Sequence, residues 1–459
     1  MLSTLQEIFS KDQILTDSES LKIYGKDWVK YFEPKAQAVV FPKSTLEVQK
    51  LVLWARKNKV SLVPSGGRTG LSGAAVALKN EIVVSFEKMN RILDINETDR
   101  VIHIEPGVIT ETLQKYLWDR GHYYPVDFAA RGSSQMGGNV ATNAGGVKVL
   151  RYGLTRDQVA SLEVVTGSGE ILQLGNDLVK NATGLDLRHL FIGSEGILGF
   201  ITKIGIKFTH QPKPLTVMLL TLPNLDAVMK VFEKFRSTLP LTAFEFFSDI
   251  ALDIVSEHTH LVSPLTTKAP NYLLIEVENT DASVHDEILR IFENCLEEEL
   301  VLDGTIAQNE PQARTFWRFR EDISEATAPY SPYKNDVSVR VSQVPDFLNQ
   351  IDAILKTNYP SFKVVWFGHI GDGNMHINIL KPADLSKEDF TKSCEKVNDL
   401  LFKVIGEMRG SISAEHGVGL TKKKYLKYSR SEAEIGLMRQ IKKVFDPDGI
   451  MNPDKVIDI

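Results

Sequence analysis

Between residues 44 and 60 (STLEVQKLVLWARKNKV) apolar side chains recur at helical spacing, with Val48, Leu51, Val52, Trp54 and Ala55 on one face. This pattern predicts an amphipathic helix. A short strand, SLVPSG, follows at 61–66, then a glycine-rich loop, then a second strand, EIVVSF, at 81–86. Alternation of this kind predicts layered α/β or α+β structure. From about residue 210 the pattern changes to long apolar strands, PLTVMLLTLP at 214–223 and NYLLIEVEN at 271–279, with a helix expected over 225–238. An antiparallel sheet covered by helices is expected there. The last forty or so residues read as helix and then as a proline-punctuated tail, FDPDGIMNPDKV.

Glycine divides the chain as clearly as hydropathy does. Nineteen of its 31 glycines lie between Gly66 and Gly199. At 459 residues the chain exceeds the roughly 250–300 that one core supports, so two domains are expected. The boundary is placed where THQPKP (209–214) reads as a linker.

Composition excludes several classes. No apolar run approaches the ~18 residues of a membrane helix. The start of the chain lacks the pattern of a secretory signal, and the cytoplasm is the expected compartment. Cys295 and Cys394 make no C-x-x-C pair and no disulfide framework. With net charge −6, a pI near 6.0 and only Lys422, Lys423 and Lys424 clustered, nucleic acid is not an expected partner.

Three glycine-rich segments carry the first candidate chemistry. In PSGGRTGLSG (64–73), directly after a strand, four glycines in eight positions let several N–H groups converge on one ligand, as a pyrophosphate cradle requires. RGSSQMGGNVATNAGGVKVLRYG (131–153) repeats the device with Gly137-Gly138 and Gly145-Gly146 among Ser, Thr and Asn donors. TGLDLRHLFIGSEGILG (183–199) is the third. Neither G-x-G-x-x-G nor G-x-x-x-x-G-K-[ST] occurs, which disfavours a Rossmann site and a P-loop.

A second group lies in the C-terminal half. In WFGHIGDGNMHINI (366–379), His376 and Asn378 are two apart in a strand-like segment and face the same way. His369 precedes them across a glycine turn, and SAEHGVG (413–419) brings Glu415 and His416. Two histidines and a carboxylate are a common set for Zn²⁺ or another divalent ion. The spacing is not H-E-x-x-H, and histidines hydrogen-bonded within a loop fit the residues alone as well. In WRFREDISEATAPYSPYKNDVSV (317–339), Arg320 and Ser324 are four apart and would share a helix face.

Together these segments resemble the FAD-binding and substrate domains of the vanillyl-alcohol-oxidase, or PCMH-type, flavoproteins. The likeness is greatest to the branch of glycolate oxidase and the D-lactate and D-2-hydroxyglutarate dehydrogenases, and it runs from about residue 34 to the C-terminus. It implies an α+β fold with a PCMH-type FAD domain (1–211), an antiparallel-sheet-and-helix substrate and metal domain (212–419), and a C-terminal segment (420–459) packing back on the FAD domain. It assigns FAD contacts to Pro64, Ser65, Gly66, Gly67, Arg68, Thr69, Gly70 and Ser72. To these it adds Gly132, Ser133, Ser134, Gly137, Gly138, Asn139, Thr142, Asn143, Gly145 and Gly146, with Gly196, Ile201 and Asn452. Some relatives attach flavin through a histidine in the first loop. Here that loop has Arg68 and no histidine, so non-covalent FAD is implied.

The resemblance further implies that His369, His376 and Glu415 hold a divalent metal, Zn²⁺ first, and that His416 is the base. Asn378 would meet the substrate carboxylate, and Arg320, Ser324 and Lys334 would grip a distal carboxylate. The chain departs from that branch at Ser324 (usually Thr), Arg340 (usually Pro), Leu185 (usually Tyr) and Ile197 (usually Thr), and its Ser324–Lys334 interval is one residue shorter. The expected reaction is oxidation of a D-2-hydroxy acid, D-2-hydroxyglutarate first and D-lactate, D-malate or glycolate as alternatives. Electrons would pass to an electron-transfer flavoprotein or a quinone, and a homodimer is compatible with this reading.

Overall fold

The computed structural model describes residues 2–29 and 31–459. The chain forms two compact units, one of residues 1–145, 153–211 and 415–459, the other of 146–152 and 212–414. Among the described residues no helix is long and apolar enough to cross a membrane. The expected α+β class holds in both units.

In the first unit the helix Thr45–Asn58 buries Val48, Leu51, Val52, Trp54 and Ala55, the five residues its periodicity selects. Ser44 caps it by accepting the Glu47 N–H, and Lys59 ends it in the left-handed region. That helix connects Ala38–Val40 to Leu62–Ser65, and both strands run parallel to Ile82–Ser85 between them. A second sheet is wholly antiparallel, in the order Ile92–Asn96, Val101–Ile104, Gly199–Lys207, Val159–Thr166 and Ile171–Leu174. The helix Glu432–Phe445 opens with a capping box between Ser431 and Glu434. Beyond it, Met451 pairs with Leu62, and the Asn452 N–H donates to the Leu62 carbonyl at 2.8 Å. The proline-punctuated tail thus extends the first sheet at its Leu62–Ser65 edge.

The second unit is built on seven antiparallel strands. Their order is Asp303–Ile306, Leu215–Leu222, Asn271–Glu278, Leu241–Ser248, Val364–Gly368, Asn374–Ile379 and Tyr333–Ser338. Leu241–Ser248 and Asn271–Glu278 are buried along their whole length, which explains their near-continuous apolar sequence. One face packs Phe247, Tyr272 and Phe367 against Phe316 and Phe319 of the helix Glu310–Glu321.

Two stretches depart from the expected division. Residues 146–152, expected in the FAD domain, group with the second unit. Lys148 pairs with the buried Glu276, and Arg151 lies 3.2 Å from Glu278. These partners are well over a hundred residues away, so the glycine pattern gives no sign of them. The return to the first unit begins at Glu415, not at 420, because Glu195 accepts the N–H groups of Val418 and Gly419 at 2.7 and 2.9 Å.

Candidate functional site

The glycine segments of the first unit surround a cavity, the concave kind of surface that small-molecule sites use. Its lining includes Pro64, Gly66, Gly137, Gly138, Thr142, Gly196 and Ile201, all expected at the cofactor. Glycine is required at particular points. A Cβ on Gly67 would lie 2.1 Å from the Ser133 carbonyl, so only glycine lets the two loops meet. Gly196, at φ +77°, also abuts Pro64. Gly138 is different, since its Cβ would meet nothing within 4 Å. A side chain there would project into space that the protein leaves open.

Not every expected contact faces this cavity. Ser134 and Asn139 are buried and spend their side chains on Thr110, at 2.7 and 2.6 Å. The Asn143 carboxamide accepts the Arg156 N–H. Arg68 pairs with Glu87 at 2.8 Å and lies over the Tyr24 ring. Asn452 ties the walls together, donating to the carbonyls of Ala74 and Glu195. One buried group lining the cavity, Gln135 Oε1, has no hydrogen-bond partner. An orphaned polar atom beside a glycine cradle fits a large polar cofactor.

Gln135, Phe86, Pro106 and Glu195 also line the cavity, and sequence reasoning missed them. Glu195 is an acid inside GSEGILG, held in the left-handed region at φ 51°. Burial pushes its carboxyl up to about 7, against the pull of the Val418 and Gly419 N–H groups and the Lys422 charge. The first unit also carries Glu415 and His416, with His416 Nε2 4.0 Å from Glu415 Oε1.

In the second unit, strand register arranges the remaining candidates. Lys334 stands opposite Asn378, and Asp336 opposite His376, which in turn faces Phe367. Laterally paired residues project to one face, so Lys334, Asp336, His376 and Asn378 share it. His369 follows the strand Val364–Gly368, and its ring centroid lies 5.6 Å from that of His376. Asp336, fully buried, accepts from Asn374 Nδ2 at 2.9 Å and from the Ala414 N–H at 3.0 Å, with His376 Nδ1 3.7 Å away. Asn378 is buried, and its Nδ2 has no hydrogen-bond partner.

Arg320 and Ser324 do not share one helix. Glu310–Glu321 ends at Asp322, which pairs with Arg318, and Ser324 begins a separate short helix, Ile323–Thr327. Arg320 is 6% exposed, so it is not a solvated helix residue. Its Nε lies 2.9 Å from Glu245 Oε2, and the other oxygen of Glu245 accepts from His369 Nδ1 at 2.8 Å. Arg320 Nε and Nη2 and Glu245 Oε2 are all buried without a hydrogen-bond partner, so the Arg320–Glu245 contact is an ion pair and not an aligned hydrogen bond. Burial alone would raise the Glu245 carboxyl, but the charges of His369, Arg320 and Lys148 outweigh it and hold it below its usual range. Glu245 and Asp336 went unrecognised in the sequence. The available signal was an acid inside the apolar run LTAFEFFS. A histidine whose Nδ1–H is committed to a carboxylate presents Nε2 to a ligand, the usual support for a metal-binding imidazole.

Residues 36–175 match the FAD binding domain, and residues 211–456 match the C-terminal domain of FAD linked oxidases. The chain belongs to the FAD-linked oxidases. It is 53% identical to the D-2-hydroxyglutarate dehydrogenase of Stutzerimonas stutzeri (strain A1501), over 99% of this chain and 98% of the relative. It is 49% identical to the D-2-hydroxyglutarate dehydrogenase of Xanthomonas citri pv. viticola, over 99% and 96%. The structure of p-cresol methylhydroxylase with substrate bound shares the fold, with a TM-score of 0.77 at 17% identity, over 100% of this chain and 96% of that one. The PCMH-type architecture that the resemblance implied is therefore the one present.

Proposed function

We propose that this FAD-dependent dehydrogenase oxidises D-2-hydroxyglutarate to 2-oxoglutarate, with FAD bound non-covalently. The observation that carries the substrate assignment is Arg320, a buried guanidinium whose Nη2 lacks a hydrogen-bond partner. A buried cationic donor of this kind suits a carboxylate, and a dicarboxylate has one to spare. FAD, when bound, supplies the acceptor for the hydride leaving C2 of the hydroxy acid. His369 and His376, with Glu415, would hold a divalent metal, Zn²⁺ first, which lowers the pKa of a hydroxyl group beside it.

The protein's own residues do the rest. Asn378 donates from Nδ2 to the C1 carboxylate. Arg320, helped by Ser324 and Lys334, takes the distal carboxylate and fixes the substrate's direction. His416 accepts the hydroxyl proton on its ring nitrogen, as a positioned imidazole base can.

The test is anaerobic bleaching of the yellow enzyme. D-2-hydroxyglutarate should bleach it faster than D-lactate. Truncating one partner of a desolvated charge pair costs about 2–5 kcal/mol, and each ~1.4 kcal/mol is tenfold. Arg320→Ala should thus lower kcat/KM for D-2-hydroxyglutarate by roughly 30- to 4,000-fold and leave D-lactate nearly unchanged. Equal losses on both substrates would remove the dicarboxylate assignment.

A further inference from the structure

The strand Leu241–Ser248 is buried throughout, and Glu245 is its one ionisable residue, 1% exposed. A carboxylate in such a strand is tolerated only where close partners offset its desolvation. Glu245 divides its two oxygens between different elements. Oε1 accepts from His369 Nδ1 at 2.8 Å, in the turn after Val364–Gly368. Oε2 lies 2.9 Å from Arg320 Nε on the helix Glu310–Glu321, whose guanidinium also sits 5.0 Å from the Phe367 ring centroid. One short, rigid group on a central strand therefore ties the arginine assigned to the distal carboxylate to a histidine assigned to the metal.

We infer that Glu245 is a positioning residue that sets substrate length, by fixing Arg320 and His369 in one frame. The inference rests on the functional reading above. With its guanidinium held in place by the 2.9 Å ion pair to Glu245, the arginine presents Nη2 to the ligand. With Nδ1–H committed, His369 presents Nε2 to the metal. The span between the two is then a property of the carboxylate, and a substrate must match it at both ends. A shorter side chain cannot reach both partners. An amide of the same shape must turn an NH₂ group toward a donor on one side.

Glu245→Gln and Glu245→Asp are compared with the unaltered holoenzyme. Zinc affinity is measured by competition with a chromogenic chelator, KM and kcat with D-2-hydroxyglutarate and D-lactate, and folding by FAD content and melting midpoint. Loss of a carboxylate behind a ligating histidine weakens metal binding by about 10- to 100-fold, and that is expected in both variants. The KM for D-2-hydroxyglutarate should rise by about tenfold or more relative to the KM for D-lactate, as truncation of a buried charge pair implies. Zinc affinity within about threefold of the parent, a scale below that expected loss, overturns the inference. An unchanged KM ratio does so too. If neither variant folds, Glu245 is a structural residue and the inference falls. A parent enzyme that binds no zinc, or is bleached faster by D-lactate, overturns the functional reading first, and that control is scored before any variant is compared.

Discussion

At the scale of single residues, two groups have roles that pH and substitution separate. His416 is assigned the proton, and a positioned base contributes about 10²–10⁴-fold. His416→Ala should slow anaerobic flavin reduction by roughly that factor while FAD content stays at the parent level. Reduction at near-parent rate would assign the proton elsewhere. Glu195 acts on stability. Its carboxyl is raised to about 7 in the fold, chiefly by burial, from an ordinary value of 4.5. A carboxyl raised on folding favours the protonated state, so the stability tied to it is complete below pH 4.5 and fades as pH climbs through about 7. Glu195→Gln is neutral at every pH. Its melting midpoint relative to the parent should therefore increase between about pH 5 and pH 8, by roughly 2–4 °C for each kcal/mol in a domain of this size. A difference that stays flat across that range would show that Glu195 is ionised throughout.

At the scale of elements, adjacent glycines in the helix Met136–Thr142 are required for different reasons. A Cβ on Gly137 would lie 2.5 Å from the Pro106 Cβ, whereas one on Gly138 points into the open cavity. Gly137→Ala should lower stability by about 1–3 kcal/mol with or without FAD, the cost of overpacking. Gly138→Leu should leave the melting midpoint of the apoprotein unchanged and weaken FAD binding by about tenfold or more, the same cost displaced onto the ligand. Thermal melts and FAD titration distinguish the two, and a destabilised Gly138→Leu apoprotein would mean the cavity is smaller than its lining suggests. The helix Glu432–Phe445 is anchored by polar bonds as well as by packing. Its buried Lys442 donates to the carbonyls of Ile197 and Met451 at 2.7 and 2.9 Å and pairs with Asp446 at 2.7 Å.

At the scale of the whole molecule, FAD binding and folding are expected to be linked. With Arg68 in the first loop and no histidine there, acid precipitation should release all the yellow colour into the supernatant. Colour retained in the pellet would establish a covalent link. A ligand that binds only the native state adds about 2.7 kcal/mol at a hundred times its dissociation constant. The melting midpoint of the apoprotein should accordingly climb with added FAD, and a midpoint insensitive to FAD would place cofactor binding outside the cooperative unit.

The sequence alone determined those features that depend on local chemistry. The helix Thr45–Asn58 follows from periodicity, and the phosphate-cradling loops follow from glycine, which close backbone approach demands whatever lies elsewhere in the chain. The shared face of His376 and Asn378 follows from the two-residue repeat of a strand. Tertiary structure alone decided where charge could be buried. Glu245 reads as a stray acid until His369, 124 residues on, and Arg320 close around it. Glu195 reads as one more loop residue until Val418, 223 residues on, donates its N–H. Residues 146–152 look like the rest of their glycine loop until Lys148 finds Glu276. An ionised group leaves water only when partners come within a few ångströms. Those partners are distant in sequence, so the chain brings them together only by folding.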